Sequence, residues 1–367
     1  MKKMTYNQQL EQEASVFAKK RWPACTGSIA WSCPSNIALI KYWGKRAVQI
    51  PMNPSLSMTL EEARTNTRIR FRYDPAIPGG DLVFRFESQE APAFEKLIRE
   101  TLARFRTYLP WLGQVTLEID SGNSFPHSSG IASSASAMGA LALCLTGMER
   151  VIGENPAGTL DLRKASFLAR LGSGSACRSL FPGFALWGEA EGWEGSSDEF
   201  AIPVSSFHES FRQLRDTILI VESGQKKVSS SAGHALMEGN PFSSARFRQA
   251  GENLEVLGTI LREGDWASFP GLVEEEALTL HAMMMTGKPG YLLMQPGTLS
   301  IIREVRAFRA ETNARIAFTL DAGANVHLLY DGAEAERVEP FIASVLTPYC
   351  ENGNRISDRM GSGPQQL

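Results

Sequence analysis

The sequence predicts a mixed helix-and-strand protein of two domains sharing a cleft, and three observations carry that reading. A chain of 367 residues exceeds the size at which one hydrophobic core usually stops growing. Segments of apolar period two are interspersed with segments of helical period. A loop rich in glycine and serine runs straight into a long apolar helix, an arrangement suited to holding an anion at the edge of a cleft.

In chain order, residues 1–25 read as a polar N-terminal extension. Three stretches of period two follow as strands: one around Ile37 and Leu39, one over Arg68 to Tyr73 with Ile69, Phe71 and Tyr73 on one side, and Val115 to Asp120. Phe94, Leu97, Ile98, Leu102, Phe105 and Leu109 recur at helical spacing, and a second helix is expected from about Ser133 to Val151. These elements form the first domain, residues 26–205, whose last segment, Glu191 to Ser205, is rich in Gly, Ser and acidic residues and reads as the linker. The second domain, residues 206–351, has a strand over Thr217 to Val221 and helices around Leu254 to Leu261 and Leu299 to Phe308. It closes with strands Ile316 to Leu320 and Val326 to Tyr330 on either side of a turn over Asp321 to Asn325. Residues 352–367 are polar and expected to fray.

Composition narrows the function classes. Hydrophobic residues are 43% and charged residues 21% of the chain, ordinary values for a soluble globular protein. The net charge of −3 gives no electrostatic footprint for nucleic acid or anionic lipid. The five cysteines, Cys25, Cys33, Cys144, Cys177 and Cys350, form no C-x-x-C pair and are expected to be reduced and mostly buried. The N-terminus lacks the apolar core of a signal peptide, so a cytoplasmic protein is expected.

The most informative segment runs from Pro126 through His127, Ser128, Ser129, Gly130, Ile131, Ala132, Ser133, Ser134 and Ala135 to Ser136. Small residues let the backbone approach an anion, and the first turn of the helix offers unpaired N–H groups and a partial positive charge. The same residues would also serve as a serine-rich N-cap on a packed helix. There is no G-x-x-x-x-G-K-[ST], and Gly172-Ser173-Gly174-Ser175 lacks the third glycine of a dinucleotide fingerprint. Lys41, Tyr42 and Lys45 place two ammonium groups and a phenol near one another, although lysines four apart also fit a solvated helix face. Ser173 and Ser175 put hydroxyls near Arg178, whose planar fork suits a carboxylate or phosphate. Asp321 stands where an apolar strand meets a glycine turn, a position for a rigidly held carboxylate or for a simple Asx-turn. Met283 to Met285 read as core or pocket lining, Glu274 to Glu276 as a solvated helix face, and the five histidines show no metal spacing.

Taken together, four segments are similar to the GHMP kinase superfamily and to its diphosphomevalonate decarboxylase branch. They are Asn36 to Lys45, Pro126 to Ser136, Arg170 to Leu180 and Thr319 to Gly323, in that order over roughly residues 30 to 330. The resemblance implies an α+β two-domain GHMP kinase fold, with a ribosomal protein S5 domain 2-like N-terminal domain and a ferredoxin-like C-terminal domain. It implies ATP-dependent decarboxylation of mevalonate 5-diphosphate to isopentenyl diphosphate, with Mg2+ as cofactor ion and a homodimeric assembly. By the same resemblance, Asp321, Lys41 and Arg178 are expected to take the catalytic roles, while Asn36, Tyr42, Lys45, Ser173 and Ser175, with Arg178, are expected to bind substrate. The resemblance further implies that Ser128, Ser129, Gly130, Ala132, Ser133, Ser134 and Ser136 hold ATP and that Ser134 meets the metal.

Two departures from the family pattern stand out. Ala324 replaces a usual proline, which should alter only turn rigidity. Ser231 replaces an arginine found in several bacterial members, with Lys226, Lys227 or Arg246 as candidates to supply the diphosphate contact. Rival readings are a mevalonate-monophosphate decarboxylase, a mevalonate 3-kinase, or a noncatalytic nucleotide-binding module.

Overall fold

The computed structural model describes residues 4–76, 79–125, 131–224 and 230–367. The chain opens with helix α1 (Tyr6–Lys19), strand β1 (Cys25–Ile40), a small hairpin β2 (Lys45–Ala47) and β3 (Ile50–Pro51), and strand β4 (Ser55–Tyr73). Then come β5 (Leu82–Phe86), β6 (Gln89–Glu90), α2 (Pro92–Phe105), β7 (Val115–Asn123), α3 (Ser133–Ile152), α4 (Leu162–Gly172), β8 (Phe184–Trp187) and β9 (Ala201–Val204). The second half contains β10 (Leu214–Leu219), α5 (Ser230–Ala235), α6 (Ser243–Glu263), α7 (Phe269–Met285), α8 (Pro296–Thr312), β11 (Ile316–Leu320), β12 (Val326–Asp331) and α9 (Ala335–Phe341). It ends with β13 (Arg355–Arg359) and β14 (Gln365–Gln366).

The strands form two main sheets. The first runs β14-β1-β4-β7-β5-β6, with β8 joined to the lower part of β4 and β9 joined to β8. The second is an antiparallel sheet in the order β11-β12-β10-β13, the ferredoxin-like order expected from the resemblance. The long strands β1 and β4 change character along their length. From Thr65 to Tyr73 buried and exposed residues alternate, as one face meets water and the other packs on α2, α3 and α4. From Ser55 to Leu60 every residue is buried, because the second domain covers the other face. One core spans that junction: Ile37, Leu39, Leu56 and Met58 of the first domain pack with Leu214, Ile218, Leu254, Val273 and Leu329 of the second.

Helix α3 is, among the described residues, the one helix long and apolar enough by composition to cross a membrane, and 78% of that window is buried inside the fold. It is the central core helix of the first domain. The four cysteines other than Cys25 are buried, and all five are free thiols.

Both termini differ from expectation. The N-terminal extension contains α1, started by a Thr5–Gln8 capping box and anchored by a fully buried Leu10. The C-terminal tail is not frayed, because β13 pairs with β10 and β14 pairs with β1, so the chain returns to stitch the two sheets together. Polar composition misled here: exposed edge residues satisfy their backbone groups in the sheets while their side chains face water. The expected linker also carries structure, its last residues forming β9 against β8. The helix begun at Phe94 stops at Phe105, before Leu109.

Asp358 of β13 shows how the domains are fastened. Its buried carboxylate accepts the N–H groups of Glu61, Glu62 and Ala63 at 2.8, 2.9 and 2.8 Å, where β4 passes the junction. Asp358→Ala leaves those donors buried without acceptors and should cost about 2–4 kcal/mol of stability in denaturant unfolding. Unchanged stability would show that water replaces the carboxylate.

Candidate active site

Beyond Ile40 the chain leaves β1 and crosses the domain junction before starting β2. Gly44 makes that path possible: its φ is +92°, and a Cβ there would meet the Phe247 ring at 2.9 Å. Lys41 is held in this crossing by its own peptide. Its N–H donates to Glu276 Oε2 at 2.8 Å, and its carbonyl accepts from Asn53 Nδ2 at 3.0 Å. Its ammonium lies 3.2 Å from Asp321 Oδ1, with the lysine side chain 2% and the aspartate 29% exposed. Burial pushes the Lys41 ammonium below its ordinary range, while Asp321 and then Glu276 oppose the fall.

Asp321 stands at the end of β11, where the neighbouring turn is tied down on several sides. Gly323 N–H donates to the Asp321 carbonyl at 2.8 Å, and His281 Nε2 lies 3.1 Å from the same oxygen. A carbonyl only accepts, so Nε2 carries the hydrogen. Burial lowers His281 to about 4, leaving the ring neutral at physiological pH. Thr298 Oγ1 donates to the Ala324 carbonyl at 2.6 Å, and Asn325 Oδ1 accepts from Val221 N–H at 2.8 Å. These bonds fix the turn that a proline would otherwise stiffen.

Arg178 lies in a 3-10 segment, Gly174–Leu180, that follows α4. Its Nε donates to Ser57 Oγ at 2.9 Å and its Nη1 to Ser55 Oγ at 2.5 Å, while Nη2 is 3.5 Å from Asn36 Oδ1. Asn36 is itself oriented by donating to Ser179 Oγ at 2.7 Å and to the Ser175 carbonyl at 3.2 Å. Burial lowers the guanidinium from its ordinary range, but an arginine remains charged. Among the described residues no carboxylate forms an ion pair with it. Neutral partners orient this buried cation without cancelling its charge, which makes it receptive to an anion.

The adjoining wall is aromatic. Tyr42 packs edge-on to Trp187 at 4.6 Å between ring centroids and lies 4.2 Å from His234. Gly174 allows this approach, since a Cβ there would come within 2.9 Å of both Trp187 and Tyr42. The Tyr42 hydroxyl is buried with no hydrogen-bond partner among the described residues, and burial raises its pKa. The two lysines are separated in environment rather than arrayed on a helix. Lys45 begins β2, where burial and then Arg104 lower its pKa.

At the expected phosphate loop, Ser128, Ser129 and Gly130, with Pro126 and His127, lie outside the described residues, as do Lys226 and Lys227 and the side chain of Ser231. Helix α3 begins after Ala132, whose φ is +35°, and no side chain caps its first turn. Ser134 is exposed and its hydroxyl lies 3.3 Å from that of Ser173, so the helix start adjoins the Arg178 segment. Ser133 is half-buried there. Ser136 departs from its expected nucleotide role: fully buried, it shares a 2.6 Å hydrogen bond with Thr65 Oγ1 of β4.

Other expectations also change. Glu274 and Glu276 are buried, not a solvated face, and pair with Arg306 and Arg309, and with Arg246, respectively. Arg246 is thereby engaged and no substitute for a diphosphate ligand. Of the methionine run, Met283 and Met284 are core and Met285 is exposed. The spacing did contain a signal for Glu276, which falls three after Val273 and four before Leu280 on the buried stripe of α7. Ser55, Ser57 and His281 carry no comparable local mark.

Comparison with known proteins finds similarity over both domains. Residues 33–201 match the diphosphomevalonate decarboxylase-like N-terminal domain and residues 217–365 the mevalonate 5-diphosphate decarboxylase C-terminal domain. A diphosphomevalonate decarboxylase of Aspergillus fumigatus is 30% identical over 337 residues, covering 87% of this chain and 81% of its own. The chain belongs to the diphosphomevalonate decarboxylase family. Within that family, the crystal structure of mevalonate diphosphate decarboxylase from Staphylococcus aureus superposes with a TM-score of 0.80 at 27% identity, covering 94% of this chain and 98% of that one. A structure of MDDEF in complex with MVAPP, AMPPCP and magnesium gives 0.79 at 28% identity, covering 94% and 99%. The family match and the two-domain α+β architecture together identify the GHMP kinase fold.

Neutral, buried histidines give the site a measurable pH response. His234 Nδ1 accepts Gly44 N–H at 3.0 Å, and burial, with Lys45 acting in the same direction, lowers it from 6.5 to about 3. Between those values the unfolded chain binds a proton that the folded chain refuses, so stability falls as pH drops below about 6.5. Denaturant unfolding at pH 7 and pH 5 should show this loss, and His234→Asn, which keeps an acceptor but does not titrate, should reduce it. An unchanged slope in the variant would place the proton uptake elsewhere.

Proposed function

We propose that the chain catalyses ATP-dependent decarboxylation of mevalonate 5-diphosphate, giving isopentenyl diphosphate, ADP, phosphate and carbon dioxide in isoprenoid biosynthesis. The observation that carries this reading is the Lys41–Asp321 pair at the domain junction, with Arg178 buried nearby and, among the described residues, in no ion pair with a carboxylate. Lys41 and Arg178 each feel the charge of Asp321, so two cations and one base act on one small region. The ligands named for MDDEF, MVAPP, AMPPCP and magnesium, fit the same substrate class.

In this reading the substrate's tertiary 3-hydroxyl faces Asp321, which accepts its proton as the oxygen bonds to the transferred phosphorus. ATP is the substrate that supplies this phosphoryl group. The bond between the carboxylate carbon and C2 then breaks, its electrons form the C2–C3 double bond, and the C3–O bond breaks to release phosphate. Arg178 holds the carboxylate before it leaves as carbon dioxide. Lys41 offsets negative charge growing on the departing phosphate.

Asn36 orients Arg178, and Ser173, Ser175, Tyr42 and Lys45 line the side that receives the rest of the substrate. The uncapped start of α3, with Ser133 and Ser134 and the backbone at Ala132, suits nucleotide phosphates. Among the described residues no group of three His, Cys, Asp or Glu is placed to hold a metal ion. Magnesium would therefore be carried largely by the phosphates, with Ser134 as the protein's contact. A cytoplasmic homodimer is the assembly and location proposed.

Purified protein incubated with Mg-ATP and, separately, mevalonate, its 5-phosphate and its 5-diphosphate should release ADP and carbon dioxide in equal amounts with the diphosphate alone. ADP without carbon dioxide would make the chain a kinase, and turnover of the monophosphate would shift the substrate. Asp321→Asn should lower turnover about 10³-fold while leaving nucleotide binding nearly unchanged. Retained turnover would remove Asp321 from the chemistry.

A further inference from the structure

The charged and titratable groups that face Lys41 come from four elements. Asp321 follows β11, Arg178 precedes β8, Glu276 and His281 project from α7, and Arg246 projects from α6. Glu276 differs from the rest in touching the Lys41 main-chain N–H, from a position 235 residues away. Its carboxylate is completely buried and fully committed. Arg246 Nη1 donates to Oε1 at 2.8 Å, Nη2 donates to Oε2, and Asn253 Nδ2 gives Oε1 a further bond at 2.8 Å. The same Arg246 Nη2 lies 3.5 Å from the Lys41 carbonyl, which Asn53 also holds.

Both sides of the Lys41 residue are thus gripped by groups that belong largely to the other domain. A buried ion pair is weak evidence for stability, since desolvation offsets much of the attraction and an apolar pair of similar volume often serves as well. What an apolar pair cannot do is accept a main-chain N–H at a fixed point. Helix α7 makes a second backbone contact further along, of the opposite sense, where His281 Nε2 donates to the Asp321 carbonyl. One rigid helix therefore touches the backbone of both members of the Lys41–Asp321 pair.

We propose that Glu276, oriented by Arg246, is a positioning residue for the reaction, fixing the Lys41 peptide so that its ammonium meets Asp321 across the domain junction. This rests on the assignment of Lys41 and Asp321 to the chemistry. The charge of Glu276 has a second effect, since it opposes the burial that depresses Lys41. Removing it lowers Lys41 further. The ammonium is then lost sooner as pH rises, and the basic limb of the kcat profile moves to lower pH.

Two variants separate positioning from folding. Glu276→Gln keeps the shape and one acceptor oxygen but removes the charge, and the double variant Arg246→Met with Glu276→Met fills the volume without polar groups. Glu276→Gln should lower kcat about 10- to 100-fold, with KM changed far less, and shift the basic limb to lower pH. The double variant should fold and show a kcat loss at least as large. Wild-type kcat and an unmoved basic limb in the folded double variant, or loss of melting temperature as the sole change in Glu276→Gln, would overturn the proposal. So would failure of both variants to fold, which would make the pair a stability element. Lys41→Met and Asp321→Asn are measured alongside. If these retain turnover, the active-site assignment itself fails; if they abolish it while the Glu276 variants do not, only the positioning role falls.

Discussion

Lys41 is a cation with almost no access to water, and its contact with Asp321 spans two domains that fold around separate sheets. An ammonium removed from water is costly unless a partner and hydrogen bonds replace its hydration. Its carboxylate partner comes from the end of β11, so that stabilisation exists only when the second domain is docked. The features of the junction follow from this requirement. The lower halves of β1 and β4 are buried on both faces, one apolar core continues across the boundary, and Asp358 fastens the bend of β4 from the returning C-terminal segment.

Electrostatics at the site are arranged so that positive charge is held in place without being spent. Arg178 is oriented by two serine hydroxyls and an asparagine, all neutral. Arg246, by contrast, is consumed by Glu276 and belongs to the scaffold. The histidines near the junction add no charge, since burial keeps both His234 and His281 neutral at physiological pH. Each instead supplies one oriented hydrogen bond, to the Gly44 N–H and the Asp321 carbonyl. The outcome is a pair of fixed, buried cations with the partly exposed Asp321 carboxylate beside Lys41, an arrangement that suits the anionic substrate of the proposed reaction.

Much of this was legible in the sequence because it is written in short contiguous segments. Asn36 to Lys45 and Thr319 to Gly323 place their key residue just past the end of a strand, Arg170 to Leu180 places it in a 3-10 segment, and the structure brings Lys41, Arg178 and Asp321 within one another's fields. The less legible features depend on contacts distant in sequence. Glu274 to Glu276 read as a solvated run, which holds for Glu275 alone, until the arginine partners of Glu274 and Glu276 on α8 and α6 are seen. Ser136 reads as a phosphate ligand by its place in a serine-rich motif, yet helical rotation turns its hydroxyl toward Thr65. The polar tail gives no periodic apolar signal because its contribution is backbone pairing on β10 and β1.

The state of the Lys41 ammonium tests the account most directly, because burial and the Asp321 contact act on it in opposite directions. Lysine-selective NMR titration of the free enzyme should find Lys41 below the ordinary lysine value of 10.5, and lower again in Asp321→Asn, where burial remains but the opposing charge is gone. An ordinary value unaffected by Asp321→Asn would mean that the ammonium is solvated and the pair across the domains is not formed.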